Sequence, residues 1–239
     1  MLKECFLLLT FMLSAIICYG INPIVLKTYP ETSRQKQMIR NTGIILTVWL
    51  VYIAGLSLTG IFTIVTLPPR IPLLLVFPAF LFISWFFISG RFRIIIEATP
   101  LHWIILLQSF RIIVELLIYW CYNEGILPKE ATFRGNNFDI IFGLTAPLVA
   151  WSVRFNKKGS NINYLIWNFC GLLSLAIVVF TLISTAYFPA LWGRPQSILN
   201  DGFGKFPFTY IAGFLMPLAV FLHLFAIIKI RRLIKPILT

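Results

Sequence analysis

The chain has 239 residues, of which 59% are hydrophobic and only 12% charged, and its mean hydropathy is +0.89. Soluble globular domains carry about 25% charged residues, so this composition excludes a soluble fold. The net charge of +12 would suit a nucleic-acid partner, but all the basic residues except Arg111 lie outside the apolar stretches, where they set topology and meet anionic lipid; nucleic acid is excluded.

In chain order the apolar stretches are 5–26, 42–67, 73–90, 98–122, 138–153, 164–185 and 208–228. Each approaches the roughly 17–25 residues that a bilayer-spanning helix needs. The stretch 138–153 is the short one, a tilted or half-embedded segment. The expectation is an all-α, polytopic transmembrane helix bundle of seven helices, forming a single integral membrane domain over 1–239. Seven spans make the connections alternate between two sides. One side collects Lys27, Arg34, Lys36, Arg40, Arg91, Arg93, Arg154, Lys157, Lys158, Lys229, Arg231, Arg232 and Lys235, and the other Lys3, Arg70, Lys129, Arg134, Arg194 and Lys205. By the positive-inside rule the richer side is cytoplasmic, which puts the N-terminus out and the C-terminus in.

In the first stretch, Lys3 followed by 6–18 has the outline of a signal peptide, but Cys18-Tyr19-Gly20 is a poor cleavage site. Cleavage would also put the basic 27–40 connection outside and invert the charge bias, so a retained helix is expected. Gly55 and Thr59 in the second stretch, and Gly143, Ala146, Pro147 and Ala150 in the fifth, form small-residue faces suited to close helix packing. Pro78, Pro147 and Pro217 lie inside stretches, where neighbouring helices or waters must satisfy the carbonyls they free. Cys5, Cys18, Cys121 and Cys170 are scattered packing residues, with neither a disulfide framework nor metal spacing.

The fourth stretch carries the densest polar information. Gln108, Arg111 and Glu115 sit inside 101–118, and spacings of three and four put them on one helix face. Tyr119 and Tyr122 continue that line, and Leu106, Ile113 and Leu117 point the other way. A charge at bilayer depth costs roughly 2.5–3.5 kcal/mol even on lenient scales. Arg111 and Glu115 are therefore either a self-neutralising structural pair or part of a solute, ion or proton pathway.

Beyond the stripe the chain reads Gly125-x2-Pro128, then Thr132-Phe133-Arg134-Gly135-Asn136-Asn137-Phe138-Asp139, then Gly143-Leu144-Thr145-Ala146-Pro147. Asp139, ahead of an apolar run, has the position of a helix N-terminal cap, or of a site residue shared with Arg134 or Arg111. Thr145 is expected to bond back to its own helix. Because the fourth helix runs outward, its stripe climbs from mid-membrane toward the turn at 134–139. Gln108, Arg111, Glu115, Tyr119, Arg134, Asn136, Asn137 and Asp139 thus line one expected outward-facing binding site.

This stretch of about forty residues resembles a group of uncharacterised bacterial multi-pass membrane proteins. The shared pattern is Q-x2-R-x3-E, then G-x2-P, then T-F-x-G-x-N-F-D-I-x2-G-L-T-A-P. The resemblance implies a bacterial inner (plasma) membrane and no particular activity.

His102 and His223 fall in the inner halves of their helices without carboxylate or cysteine company, which speaks against a metal or haem; no cofactor is expected. Asn161, Asn163 and Asn168 suit interhelical hydrogen bonding. The connections 123–137 and 186–207 are rich in Gly, Pro and aromatics, suiting an interfacial belt, a lid or a docking surface.

Three functions compete. The leading one is binding or transport of a small solute, anionic or carboxylate-bearing because a guanidinium matches a carboxylate bidentately. The second is a membrane-embedded enzyme on a lipid-like substrate, with Glu115 or Asp139 as general acid or base. The third is a non-catalytic subunit or assembly factor whose outer aromatics, such as Phe188 and Trp192, grip a membrane-protein partner or a second copy of the chain. The lipid bilayer is the partner common to all three.

Overall fold

The structure, a computed structural model, describes residues 1–155, 161–197 and 199–234. Lys157, Lys158 and Lys235 of the charge count lie outside the described residues. Among the described residues the regular structure is helical, with no strand, and five helices are long and apolar enough to cross a membrane. Those five are Leu2–Thr28, Thr32–Leu58, Leu101–Asn123, Asn161–Tyr187 and Ile211–Ile234. Pro72–Ile88 and Asp139–Phe155, at 17 residues each, fill the places of the third and fifth expected spans but are shorter.

The chain divides into two compact units. The first holds Met1–Thr99 and Gly204–Pro217. In it α1 (Leu2–Thr28) and α2 (Thr32–Leu58) are joined by a tight turn, with Gln35 Nε2 donating to Tyr29 O at 2.6 Å. Helix α2 starts ten residues before its apolar stretch, because the polar run 32–41 is helical too. It ends at Leu58, not 67, where Gly60 takes the left-handed conformation (φ +75°) that closes a helix C-terminus. Among the described residues nothing lies within 4 Å of where a Cβ of Gly55 would stand, so no neighbouring helix of the chain packs closely against that glycine. Large apolar side chains of α1 and α2 such as Leu8, Phe11, Val48 and Val51 are exposed, as on a lipid-facing surface.

A π turn, Pro72–Val76, leads into α3 (Phe77–Ile88), and a second, Ile211–Leu215, leads into α9 (Met216–Ile234). The two turns touch. Each stands just before a proline, Pro78 and Pro217, whose missing N–H leaves the carbonyl four residues back unpaired. Those carbonyls are Leu74 O and Gly213 O, and both are taken from α2: Tyr52 donates its hydroxyl to Leu74 O at 3.0 Å, and Trp49 its indole N–H to Gly213 O at 2.8 Å. The two donors stack with ring centroids 5.2 Å apart.

Helix α4 (Arg93–Ala98) is cut off by Pro100, which holds Thr99 extended at ψ 126°, so the fourth expected span begins at Leu101.

The second unit holds Pro100–Phe203 and Leu218–Thr239. It contains α5 (Leu101–Leu107), α6 (Phe110–Asn123), α7 (Asp139–Phe155), α8 (Asn161–Tyr187) and most of α9. Gly125 (φ +70°) ends α6. Helix α7 lies against α5 and α6 through its small face, where Gly143, Ala146 and Ala150 are buried. A Cβ on Gly143 would stand 2.9 Å from Ile112 N, so the two backbones meet directly.

Candidate functional site

The site is built on a break between α5 and α6. Around Gln108 and Ser109 the backbone bonds step back three residues instead of four: Gln108 N to Ile105 O, Ser109 N to Leu106 O, Arg111 N to Gln108 O, Ile112 N to Ser109 O. Ser109 Oγ stabilises the break by donating to Leu106 O at 2.7 Å. Such tightening eclipses side chains three apart, which brings Gln108 under Arg111.

Arg111 is the hub. Its NH1 donates to His223 Nε2 at 2.8 Å and to Gln108 Oε1 at 3.4 Å, and its NH2 forms an ion pair with Asp139 Oδ1. The Phe142 ring centroid is 5.4 Å from the guanidinium carbon, within cation–π range. Arginine only donates, so His223 Nε2 accepts, and the ring proton resides on Nδ1. From there it is donated to Asn168 Oδ1 at 2.9 Å, with Gln108 Nε2 3.0 Å from the same nitrogen. Asn168 in turn donates to Tyr164 O at 2.8 Å. Helix α8 admits the imidazole only because Gly171 has no side chain; a Cβ there would stand 2.3 Å from His223 Nε2.

Asp139 Oδ1 also accepts from Ser174 Oγ at 2.5 Å. One turn beyond Arg111, Glu115 Oε2 accepts from Asn137 Nδ2 at 2.7 Å. The same Asn137 donates to Ala131 O at 3.0 Å, while its Oδ1 accepts the Asp139 N–H at 2.9 Å. Gln108, Arg111, Glu115, Asn137, Asp139, Asn168, Ser174 and His223 are all buried, none more than 5% exposed. Even so, Arg111 Nε has no hydrogen-bond partner.

Five of the eight expected site residues, Gln108, Arg111, Glu115, Asn137 and Asp139, thus come together. The other three lie further out. Tyr119 is half-buried, its ring 5.0 Å from Phe133 and 4.7 Å from the exposed Arg134 guanidinium carbon, and Asn136 is exposed.

Several details differ from the sequence expectation. The ionic partner of Arg111 is Asp139, not Glu115, because the eclipsed backbone aims Arg111 at α7 and α9. Asn137, not Asp139, caps α7, which frees the Asp139 carboxylate for Arg111. Leu117 is buried although it was expected to face away from the stripe. His223, expected without carboxylate or cysteine company, sits at the centre of the network among Arg111, Gln108 and Asn168. Thr145 does bond back to Ile141 O, at 2.7 Å, and also accepts from Trp167 Nε1. Asn168 and Ser174 complete the cluster; with Gly171 they form an N-x2-G-x2-S series on α8, a signal readable in the sequence. Among the described residues no group of three His, Cys, Asp or Glu side chains is placed to hold a metal.

Residues 68–231, well over half of the chain and all of this network, match a protein family described as a domain of unknown function (DUF8737). No curated protein and no solved structure matches the chain.

Proposed function

Given that the chain belongs to the family DUF8737, a domain of unknown function, we propose that it is a multi-pass inner-membrane protein that binds, and carries, a small polar solute at the Arg111 network. The observation that bears the reading is Arg111 itself: a guanidinium 2% exposed, held by three side chains, with its Nε–H left without an acceptor. A purely structural arginine gains nothing from a buried orphan donor, which costs about 1–3 kcal/mol. A solute oxygen at Nε removes that cost. The break at Gln108 supports the same reading, since interrupted helices surround solute sites in many carriers.

Seven spans with the N-terminus out and the C-terminus in are part of this proposal. They are supported by the five long apolar helices, by the two 17-residue helices in the remaining places, and by the basic residues gathered on one side. In that orientation Tyr119, Phe133 and Arg134 form the outer layer of the site, between Glu115 and the outer water.

The test is thermal unfolding of the purified chain against a panel of small metabolites, repeated with Arg111→Ala and Glu115→Ala. A ligand at 100 times its Kd adds about 2.7 kcal/mol to the native state. A compound that stabilises the native chain and neither folded variant supports the site; a panel with no such compound overturns it.

A further inference from the structure

We infer that the basic start of α2 seats one anionic glycerophospholipid, its phosphate held by Arg34, Lys36 and Arg40 and an acyl chain laid along the apolar face below them. The inference stands whether or not a solute binds at Arg111. It rests only on α2 crossing the membrane, for which that helix is long and apolar enough.

The polar run 32–41 adds about three turns to α2 ahead of its apolar stretch. There a surface recess of about 610 Å³ is lined by Glu31, Ser33, Arg34, Lys36, Gln37 and Arg40. Three cations thus face one carboxylate, and among the described residues none of the four takes part in an ion pair. Arg34 is kept in place by the ring of the buried Tyr29, 4.8 Å from its guanidinium carbon, which leaves its N–H groups for an acceptor. Guanidinium forks match phosphate oxygens, and Lys36 adds a point charge. A zwitterionic head group would bring an ammonium into the same recess, where three cations repel it and only Glu31 attracts it.

Diffuse attraction of anionic lipid operates wherever a connection is basic. What sets this face apart is its continuation. Lys36, Arg40, Ile44, Val51 and Leu58 fall within about 80° of one another around the helix, and all five are exposed. Gly55 beside them has nothing within 4 Å of where a Cβ would stand, so no helix of the chain covers the stripe there. Arg40 and Val51 are about 16 Å apart along the axis, roughly half of the ~30 Å hydrocarbon core and hence the depth one acyl chain reaches. A soluble phosphate uses the recess alone; a glycerophospholipid uses recess and stripe together.

The test is thermal unfolding of the full-length chain in mixed micelles of a neutral detergent with phosphatidylglycerol, with phosphatidylcholine of the same acyl chains or, separately, with glycerol 3-phosphate. Phosphatidylglycerol is expected to raise the midpoint saturably, and at lower concentration than phosphatidylcholine. Lys36→Gln with Arg40→Gln should weaken phosphatidylglycerol binding by roughly 30-fold, the effect of two surface cations. Arg154→Gln with Arg231→Gln removes the same charge from exposed positions elsewhere and should leave the preference intact. Equal responses to the two lipids, or equal losses in the two double variants, overturn the seat. A shift with glycerol 3-phosphate as large as that with phosphatidylglycerol also overturns it and assigns the recess to a soluble anion. If the α2 double variant does not fold, mass spectrometry of lipid retained by the native chain after exchange into equimolar micelles reads the same preference. Enrichment of phosphatidylglycerol then supports the seat, and the bulk ratio overturns it.

Discussion

The indole N–H of Trp49 donates at 2.8 Å to Gly213 O, the carbonyl that Pro217 leaves without its helical partner. Tyr52 stands in the same relation to Leu74 O and Pro78. Trp49→Phe should therefore destabilise the chain by about 1–3 kcal/mol, the cost of an orphaned buried carbonyl. The diagnostic is a double-mutant cycle. Pro217→Ala restores an amide at position 217, so Trp49→Phe should cost less in that background, measured by denaturant unfolding in micelles. Equal costs in both backgrounds would show that the indole acts through packing alone.

Gly171→Ala should cost about 1–3 kcal/mol by overpacking, because its new methyl falls on the His223 ring. In the presence of His223→Ala that penalty should largely disappear. A penalty that persists would place the crowding elsewhere on α8.

Removing one member of the Arg111–Asp139 pair leaves the other charged and buried. Arg111→Met or Asp139→Leu alone should lower stability by about 3–5 kcal/mol, while the double variant, with no charge stranded, should be milder than either. Unfolding midpoints of the four proteins check this, and simple additivity would refute it.

Asn137 serves three groups at once. Asn137→Ala orphans Ala131 O, the Asp139 N–H and one bond to Glu115, at about 1–3 kcal/mol for each group left unsatisfied. Asn137→Asp keeps the cap on Asp139 N–H but sets a second carboxylate against Glu115 Oε2. It should be no better than the alanine variant in unfolding assays at neutral pH; a stable, native-like Asn137→Asp protein would contradict the contact.

Topology has its own test. In a background with the native cysteines replaced, Asn136→Cys should react with an impermeant maleimide in intact cells, and Arg154→Cys only after permeabilisation. The reverse pattern would invert the orientation.

Hydropathy revealed the apolar segments because lipid demands length and greasiness, and both are local properties. Their ends were less legible. Helix α2 extends through the polar residues 32–41 because helicity does not stop where hydrophobicity does, and Pro100 separates α4 from α5 inside a continuous apolar run. The Gln108, Arg111 and Glu115 stripe was readable from spacing. Its partners were not, since Asp139 and His223 reach Arg111 through space, across chain separations no periodicity records. His223 in particular is a single polar residue in an apolar helix, and its close approach to Gly171 of α8 is visible only in three dimensions.

The break at Gln108 and Ser109 makes α5 and α6 two rods in place of one. In a continuous helix, deleting one residue turns everything beyond it by about 100°. Here the joint can absorb that rotation, so shortening α5 by one residue should leave the Arg111 face directed at α7 and α9. The same deletion in α6, between Arg111 and Glu115, would swing the carboxylate away from Asn137. Chain length is thus expected to be less constrained before the joint than between Arg111 and Glu115.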